Sequence, residues 1–175
     1  CYGGKNSAAF FLDEFLHATA DGFPARVVEL VQVIRDNIPA LSDLLAGNET
    51  LVHGDAHMAN AMFNDTGALI IDWALAVVGP GEADLTHAIA MNLPRLYSRE
   101  YEHQLFRHYA GKCAEFGYDT DEASVAERYR HCLLLSVIVA AGMRTVPGMP
   151  EQVWRYLFVN VAHTALDHDS VELIG

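Results

Sequence analysis

Apolar side chains recur at helical spacing along most of this chain and predict a largely helical protein. Between Pro24 and Pro39, five apolar residues fall on one face of a helix, and the leucines that follow suggest another helical turn. After Asp72 the same periodicity predicts four more helices. They cover residues 84–91, residues 98–116, residues 121–143 and a segment that begins at Pro150.

Two of these helices have a predicted buried face. The predicted buried face of the helix in residues 98–116 is formed by Tyr101, Leu105, Tyr109 and Cys113. The predicted buried face of the helix after Pro150 is formed by Trp154, Leu157, Phe158, Val161 and Ala165.

Short apolar runs predict a small β element within this helical frame. Residues 8–12 are typical of a strand, and residues 61–63 and 69–71 predict a hairpin around the turn at 64–67. Trp73 and Trp154 are expected in the core. The pattern therefore predicts an α+β fold that is mostly helical.

The candidate catalytic residues lie in the loop at residues 53–60 and at the end of the following strand. Asp55 is followed five residues later by Asn60, and Asp72 comes directly after the apolar run at 69–71. Phosphoryl transfer from a nucleotide uses one carboxylate beside the attacking hydroxyl, with an amide and a second carboxylate as Mg²⁺ ligands. Kinases place these groups in the order H-x-D-x-x-x-x-N, then a strand, then Asp. The spacing predicts Asp55 as catalytic base, Asn60 and Asp72 as Mg²⁺ ligands, and ATP as co-substrate.

The segment from residue 50 to about residue 89 resembles the aminoglycoside phosphotransferase and choline kinase-like family of small-molecule kinases. That family has an H-G-D-x-H-x-x-N loop, an I-D-W or I-D-F metal motif, and a Gly followed by an Asp-Leu pair. Residues 53–60, 71–73 and 79–85 match these motifs. The resemblance implies the C-terminal lobe of a kinase-like fold, in which a small hairpin carries the active-site loop. It also implies transfer of the γ-phosphate of ATP to a hydroxyl of a small molecule, whose identity the helical pattern after residue 89 does not predict.

The neighbours of Asp55 have expected roles of their own. His53 is grouped with Asp55 at the catalytic centre and is expected to hold the loop by hydrogen bonds to backbone. The resemblance places His57 near the phosphates of the nucleotide, and an exposed loop histidine is the alternative. It places Asp84 at a helix start, where its carboxylate accepts N–H bonds from the loop at residues 53–60, the predicted catalytic loop; a simple N-cap is the alternative.

The sequence has no recognisable Gly-rich phosphate loop and no strand lysine paired with a helix glutamate. Residues 3–5 (Gly-Gly-Lys) stand too close to Phe10 to form such a loop. Residues 1–16 are therefore expected to be the end of an N-terminal lobe that is otherwise absent, with a nucleotide-binding hinge that includes Asp13 and Phe15. Residues 17–175 are expected to form the C-terminal lobe, as an incomplete and inactive fragment.

Two other functions remain open at this point. His53, Asp55 and His57 alternate as metal ligands on one face of a strand do, which is the pattern of a zinc hydrolase, although Gly54 and the polar run after it suit a loop better. The second alternative is a kinase-like module that binds without catalysis. The presence of all the predicted catalytic and metal-binding residues favours chemistry over this module.

Composition narrows the range of partners. The net charge of -12 disfavours nucleic-acid binding, because a polyanion is repelled. The 175 residues, 51% of them apolar, suffice for the core of one domain. Three dispersed cysteines without C-x-x-C spacing suit a reducing compartment, and the longest apolar stretch, residues 132–143, is too short to span a membrane. The expectation is a cytoplasmic protein with a small-molecule partner, no membrane partner and an oligomeric state that the sequence does not predict.

Overall fold

Helices dominate the part of the chain that the structure describes, which is residues 5–47, 49–65 and 67–174 of a computed structural model. The helices are α1 (Lys5–Ala18), α2 (Ala25–Asp36), α3 (Ile38–Leu44), α4 (Glu82–Thr86), α5 (Arg95–Glu115), α6 (Glu122–Met143) and α7 (Glu151–Asp167). Helix α4 continues directly into a π-helical turn, His87–Met91. The predicted mostly helical content is confirmed, and the helices predicted after Pro24 are all present, with small shifts at their ends.

The β part consists of two antiparallel pairs. Strands β2 (Ala61–Asn64) and β3 (Gly67–Ile70) form the predicted hairpin, which is confirmed. Strand β1 (Glu49–Val52) pairs with β4 (Val77–Pro80), and this pair was not predicted. Because β1 leads into the loop at 53–60 and β4 follows the loop at 71–76, the second pair brings the two motif-bearing loops together.

Helix α6 lies at the centre of the core, where it packs against α1, α4, α5 and α7. An aromatic cluster closes one side of this core: Trp154 and Phe158 of α7 pack with Phe15 and Phe23. The indole N–H of Trp154 donates to the carbonyl of Ala140 at 2.8 Å, which satisfies its polar atom. Each such buried side chain contributes about 1.5–3 kcal/mol to folding. The core position predicted for Trp154 is confirmed.

No helix in the described part of the chain is long and apolar enough to cross a membrane.

The strand predicted for residues 8–12 is wrong, because this segment lies inside α1. Leu12 and Phe15 are fully buried, whereas Phe10 is 54% exposed, so the apolar residues follow the helical period. The hinge expected at residues 13–16 is also helical: the carbonyl of Phe15 accepts hydrogen bonds from the backbone N–H and the hydroxyl of Thr19. A helical backbone whose polar groups are paired in this way does not offer them to adenine.

The two hinge residues assigned to the nucleotide also have other partners. Asp13 pairs with Arg35 of α2 at 2.9 Å, and the Phe15 ring packs on Phe158 in the core. The expected domain boundary after residue 16 falls within α1, which packs on α2 and α6. The glycine pair at residues 3 and 4, considered above as a phosphate loop, lies outside the described residues.

The buried face predicted for α5 is displaced by one position. Tyr101 is 42% exposed, and the buried face is formed instead by Glu102 with its helical neighbours Phe106 and Ala110. Glu102 accepts a hydrogen bond from the hydroxyl of Tyr129 at 3.2 Å and lies 3.0 Å from Nε2 of His168. A paired glutamate can be buried, and apolar periodicity alone does not detect it.

Candidate active site

His53 stands at the end of β1 and braces the loop that follows. Its Nε2 lies 2.9 Å from the carbonyl of Ile71, and its Nδ1 accepts the backbone N–H of Asp55 at 3.2 Å. Because a carbonyl only accepts, Nε2 carries the hydrogen and Nδ1 does not. Both ring nitrogens are thus occupied, so His53 holds the loop and is not placed to exchange protons with a substrate.

Gly54 is required by the close approach of the two loops. Its φ is +79°, and a Cβ at this position would lie 2.4 Å from the carbonyl oxygen of Leu75. Any other residue would therefore collide with the backbone of the loop that carries Asp72. The glycine lets the loops at 53–60 and 71–76 pack directly on each other.

Asp84 anchors the catalytic loop from α4. Its Oδ2 accepts the backbone N–H of His53 at 2.7 Å, and its Oδ1 accepts the backbone N–H of Gly54 at 2.9 Å. These are the contacts expected for Asp84 from the family resemblance. Hydrogen bonds to a carboxylate are short and about twice as strong as neutral ones, so this pair fixes where the loop leaves β1.

Replacing Asp84 with asparagine is expected to destabilise the fold by about 1.5–3 kcal/mol, because an amide keeps only one acceptor for two backbone N–H groups. Urea unfolding of the variant measures this loss. Asp119→Asn, on an exposed residue without such contacts, is the matched control. Equal stability of the two variants would show that the Asp84 contacts do not anchor the loop.

Asp55 and Asn60 form one hydrogen-bonded unit. The Asn60 Nδ2 donates to the Asp55 backbone carbonyl at 3.0 Å and to its carboxylate Oδ2 at 3.2 Å. Asn60 is only 8% exposed, whereas about a third of the Asp55 side chain is open to solvent. Since the amide hydrogens point at Asp55, the Asn60 Oδ1 points away from it. No hydrogen bond from the described residues reaches that oxygen, which leaves it free to act as a ligand.

Asp72 is brought beside Asn60 by the backbone. The N–H of Ile71 donates to the Asn60 carbonyl at 2.9 Å, so the backbone of the next residue, Asp72, starts beside the backbone of Asn60. Asp72 has φ 62° and ψ 64°, a left-handed conformation that is rare outside glycine and concentrates at functional sites. Carboxylate and amide oxygens are the ligands that Mg²⁺ prefers, and the oxygens of Asn60 and Asp72 fit this ion.

Trp73 is not part of the core, which corrects the sequence-based prediction. Its side chain is 48% exposed, and its indole N–H donates to the carbonyl of Ile70 at 3.1 Å. The rings of Trp73 and His53 meet edge to face, with their centroids 4.7 Å apart. Trp73 therefore supports the brace of the catalytic loop from the solvent side.

Two histidines flank the Asp55 carboxylate. Nε2 of His57 lies 3.4 Å from Oδ2, and Nε2 of His87 lies 3.5 Å from Oδ1. Burial lowers the pKa of His87, although the negative charge of Asp55 opposes this shift. The sequence placed His57 at this site but missed His87, because a single histidine in a helix carries no motif.

The zinc alternative is not favoured by this geometry. Residues 53, 55 and 57 lie in a loop and not along a strand, and both ring nitrogens of His53 already have partners. Within the described residues, no group of three His, Cys, Asp or Glu side chains is arranged to hold a metal ion. The pair of Asn60 and Asp72 is not a group of this kind, because Asn60 contributes an amide oxygen.

A cavity of about 530 Å³ opens beside the catalytic loop, between β1, the hairpin and α4. Its walls are mostly apolar and include Leu51, Phe63 and Trp73, with His53 and His57 at the polar side. A larger cavity of about 670 Å³ lies at the end of α1, but none of the catalytic loop lines it. The smaller cavity is therefore the candidate ligand site.

Comparison with known proteins shows the family of this chain. Residues 6–127 match the family described as the phosphotransferase enzyme family. A methylthioribose kinase of Bacillus pumilus (strain SAFR-032) is 30% identical over 116 residues, which cover 61% of this chain and 29% of that kinase. No solved structure matches the chain. The resemblance to small-molecule kinases is confirmed at the level of the family, and because the match extends over more than half of its length, the chain belongs to the phosphotransferase enzyme family.

Proposed function

We propose that this chain carries the catalytic centre of an ATP-dependent phosphotransferase that acts on a hydroxyl of a small molecule. The observation that carries the proposal is the position of Asn60. Its amide nitrogen holds Asp55, and its backbone carbonyl holds the strand end that presents Asp72. Asn60 is itself one proposed Mg²⁺ ligand, and it links the proposed base to the segment that carries the other ligand, Asp72.

The proposed chemistry follows from the exposed side of this unit. The Asp55 carboxylate accepts the proton of the acceptor hydroxyl. At the same time the hydroxyl oxygen forms a bond to the γ-phosphorus, and the bond between the γ-phosphorus and the ADP oxygen breaks. The oxygens of Asn60 and Asp72 would hold Mg²⁺, which neutralises phosphate charge when it is bound. His57, partly exposed beside Asp55, is assigned to the phosphates.

The first candidate acceptor comes from the relative, whose name states that it phosphorylates methylthioribose. Such a molecule combines sugar hydroxyls with an apolar group. The apolar walls of the 530 Å³ cavity suit that apolar group, and the side of the cavity with His53 and His57 lies next to Asp55. The chain covers only 29% of the relative, so the acceptor of the whole protein is part of the proposal.

The test is transfer of radioactive γ-phosphate from ATP by the complete protein that contains this chain. The acceptors are methylthioribose, an aminoglycoside, choline and a metabolite extract of the source cells. We expect one phosphorylated product that forms only with Mg²⁺ and not with Asp55→Ala. Transfer that persists without divalent metal, or an extract in which no compound is labelled, would contradict the proposal.

The 175-residue chain by itself is expected to bind Mg²⁺·ATP with a Kd near 1 mM or weaker and to be inactive. Its sequence contains no recognisable Gly-rich loop or strand lysine for the phosphates, and each 1.4 kcal/mol of lost contact weakens binding about tenfold. Isothermal titration calorimetry measures this affinity. A Kd in the low micromolar range would show that the chain holds the nucleotide without those elements.

A further inference from the structure

His87 contacts the Asp55 oxygen that Asn60 does not hold. Asn60 donates to Oδ2, while Nε2 of His87 lies 3.5 Å from Oδ1. Only 12% of the His87 side chain is exposed, so the imidazole is enclosed by protein on most sides. Asp55 is therefore flanked on both carboxylate oxygens, by the loop on one side and by the helix after α4 on the other.

The backbone that presents His87 is unusual. The α-helical pattern of α4 changes at residue 87 into a π turn, His87–Met91. The side chain of Asn92 donates to the His87 carbonyl at 2.7 Å, which supports the widened turn. Such turns are rare and occur frequently at functional sites, where they redirect a side chain. Here the turn starts at the residue that contacts Asp55.

The charge state of His87 suits a supporting role. The titratable groups that act on it are Asp55, His57, Asp84 and His53, and burial outweighs the attraction of the two carboxylates, so the pKa lies below that of a free histidine. The imidazole is therefore mostly neutral at pH 7. A neutral imidazole with hydrogen on Nε2 donates toward Oδ1 of Asp55 and adds no positive charge to the site.

We propose that His87 is a positioning residue for Asp55. His87 keeps the Asp55 carboxylate in one rotamer, so that one of its lone pairs points at the acceptor hydroxyl. The proposal rests on the proposed function of Asp55 as base. The distance of 3.5 Å is longer than a formed hydrogen bond, and contacts of this kind often shorten when substrate binds. His87 also lines a cavity of about 140 Å³ behind the loop, so the competing explanation is that it simply fills space.

The first test uses the 175-residue chain and requires no activity. Two-dimensional NMR of the imidazole nitrogens measures the titration midpoint of His87 in the wild type and in Asp55→Asn. Because the Asp55 charge raises the His87 pKa, its removal is expected to lower the midpoint. His131, partly buried on α6, is the internal control and is expected to stay unchanged. A His87 midpoint that does not respond to Asp55→Asn overturns the proposal.

The second test separates positioning from space filling in the complete protein. His87→Leu is expected to lower kcat about 10- to 100-fold with KM for Mg²⁺·ATP within about twofold, because misplacement of a catalytic group costs rate. His87→Gln, which returns an N–H near the position of Nε2, is expected to recover most of kcat. His131→Gln is the matched control and is expected to retain full activity.

Turnover of His87→Leu within twofold of the wild type overturns the proposal. Equal impairment of His87→Gln and His87→Leu also overturns it, because that result is expected for space filling alone. If the wild-type protein transfers no phosphate, the proposed function fails first. The NMR result then still decides separately whether His87 contacts Asp55.

Discussion

Replacing Asp55 with alanine in the complete protein is expected to lower kcat about 100- to 10,000-fold, the usual effect of removing a general base. The affinity for Mg²⁺·ATP is expected to stay within about twofold. The physical reason is the position of the carboxylate. Asn60 and His57 approach one oxygen, His87 approaches the other, and the partly exposed side is left for the acceptor hydroxyl. Steady-state kinetics and nucleotide binding measure the two effects separately.

Two controls sharpen this prediction. Asp55→Asn keeps the size of the side chain but not its basicity, and is expected to be as slow as Asp55→Ala. Asp119→Ala removes an exposed carboxylate and is expected to leave turnover unchanged. Near-normal turnover of Asp55→Asn on the true acceptor would show that another group takes the proton.

Replacing Asp72 with asparagine is expected to affect both rate and nucleotide binding. The change removes the negative charge from one proposed Mg²⁺ ligand, and loss of a metal contact costs at least about 10- to 100-fold in metal affinity. Asparagine is chosen because it tolerates the left-handed backbone at this position, where φ is 62°, whereas alanine would add strain. The Mg²⁺ concentration for half-maximal rate measures the effect.

The contrast between the two variants is informative in itself. Asp55→Asn is expected to change kcat without changing the Mg²⁺ requirement, and Asp72→Asn is expected to change both. An unaltered Mg²⁺ requirement in Asp72→Asn would place the metal elsewhere. In that case the roles carried over from the family would fail together.

The sequence predicted the secondary structure of residues 53–91 better than that of residues 8–16. The hairpin follows from a short-range pattern, the turn composition at residues 64–67. The contacts of Asp84 span about 30 residues and were expected only from the resemblance to the kinase family. The pairing of β1 with β4 depends on residues far apart in the chain, so no local pattern indicates it. The same long-range pairing creates the close approach at Gly54.

The incorrect predictions share a physical cause, which is that apolar character alone does not determine burial or secondary structure. The run at residues 8–12 is too short to separate strand from helix; the wider spacing from Ala8 through Leu12 to Phe15 contains the helical signal. Glu102 is buried because it has partners, and Trp73 is exposed because the loop holds it outward.

His87 was missed for a different reason. Nothing in the sequence marks a lone histidine that enters a site through an irregular helical turn, and a π turn has no recognised local signature here. Only the packing of α4 against the catalytic loop brings His87 to Asp55. Contacts of this kind become visible once the tertiary structure is known.

The most direct test of the central claim is to locate the metal on the 175-residue chain. Mn²⁺ replaces Mg²⁺ with a non-hydrolysable ATP analogue, and paramagnetic broadening of NMR signals reports which residues lie near the ion even when binding is weak. We predict strong broadening of the Asn60 side-chain amide and the Asp72 backbone amide, and its loss in Asp72→Asn. Broadening centred on surface carboxylates such as Glu100 and Glu115, with Asn60 and Asp72 unaffected, would contradict the assignment of this loop as a phosphotransfer centre.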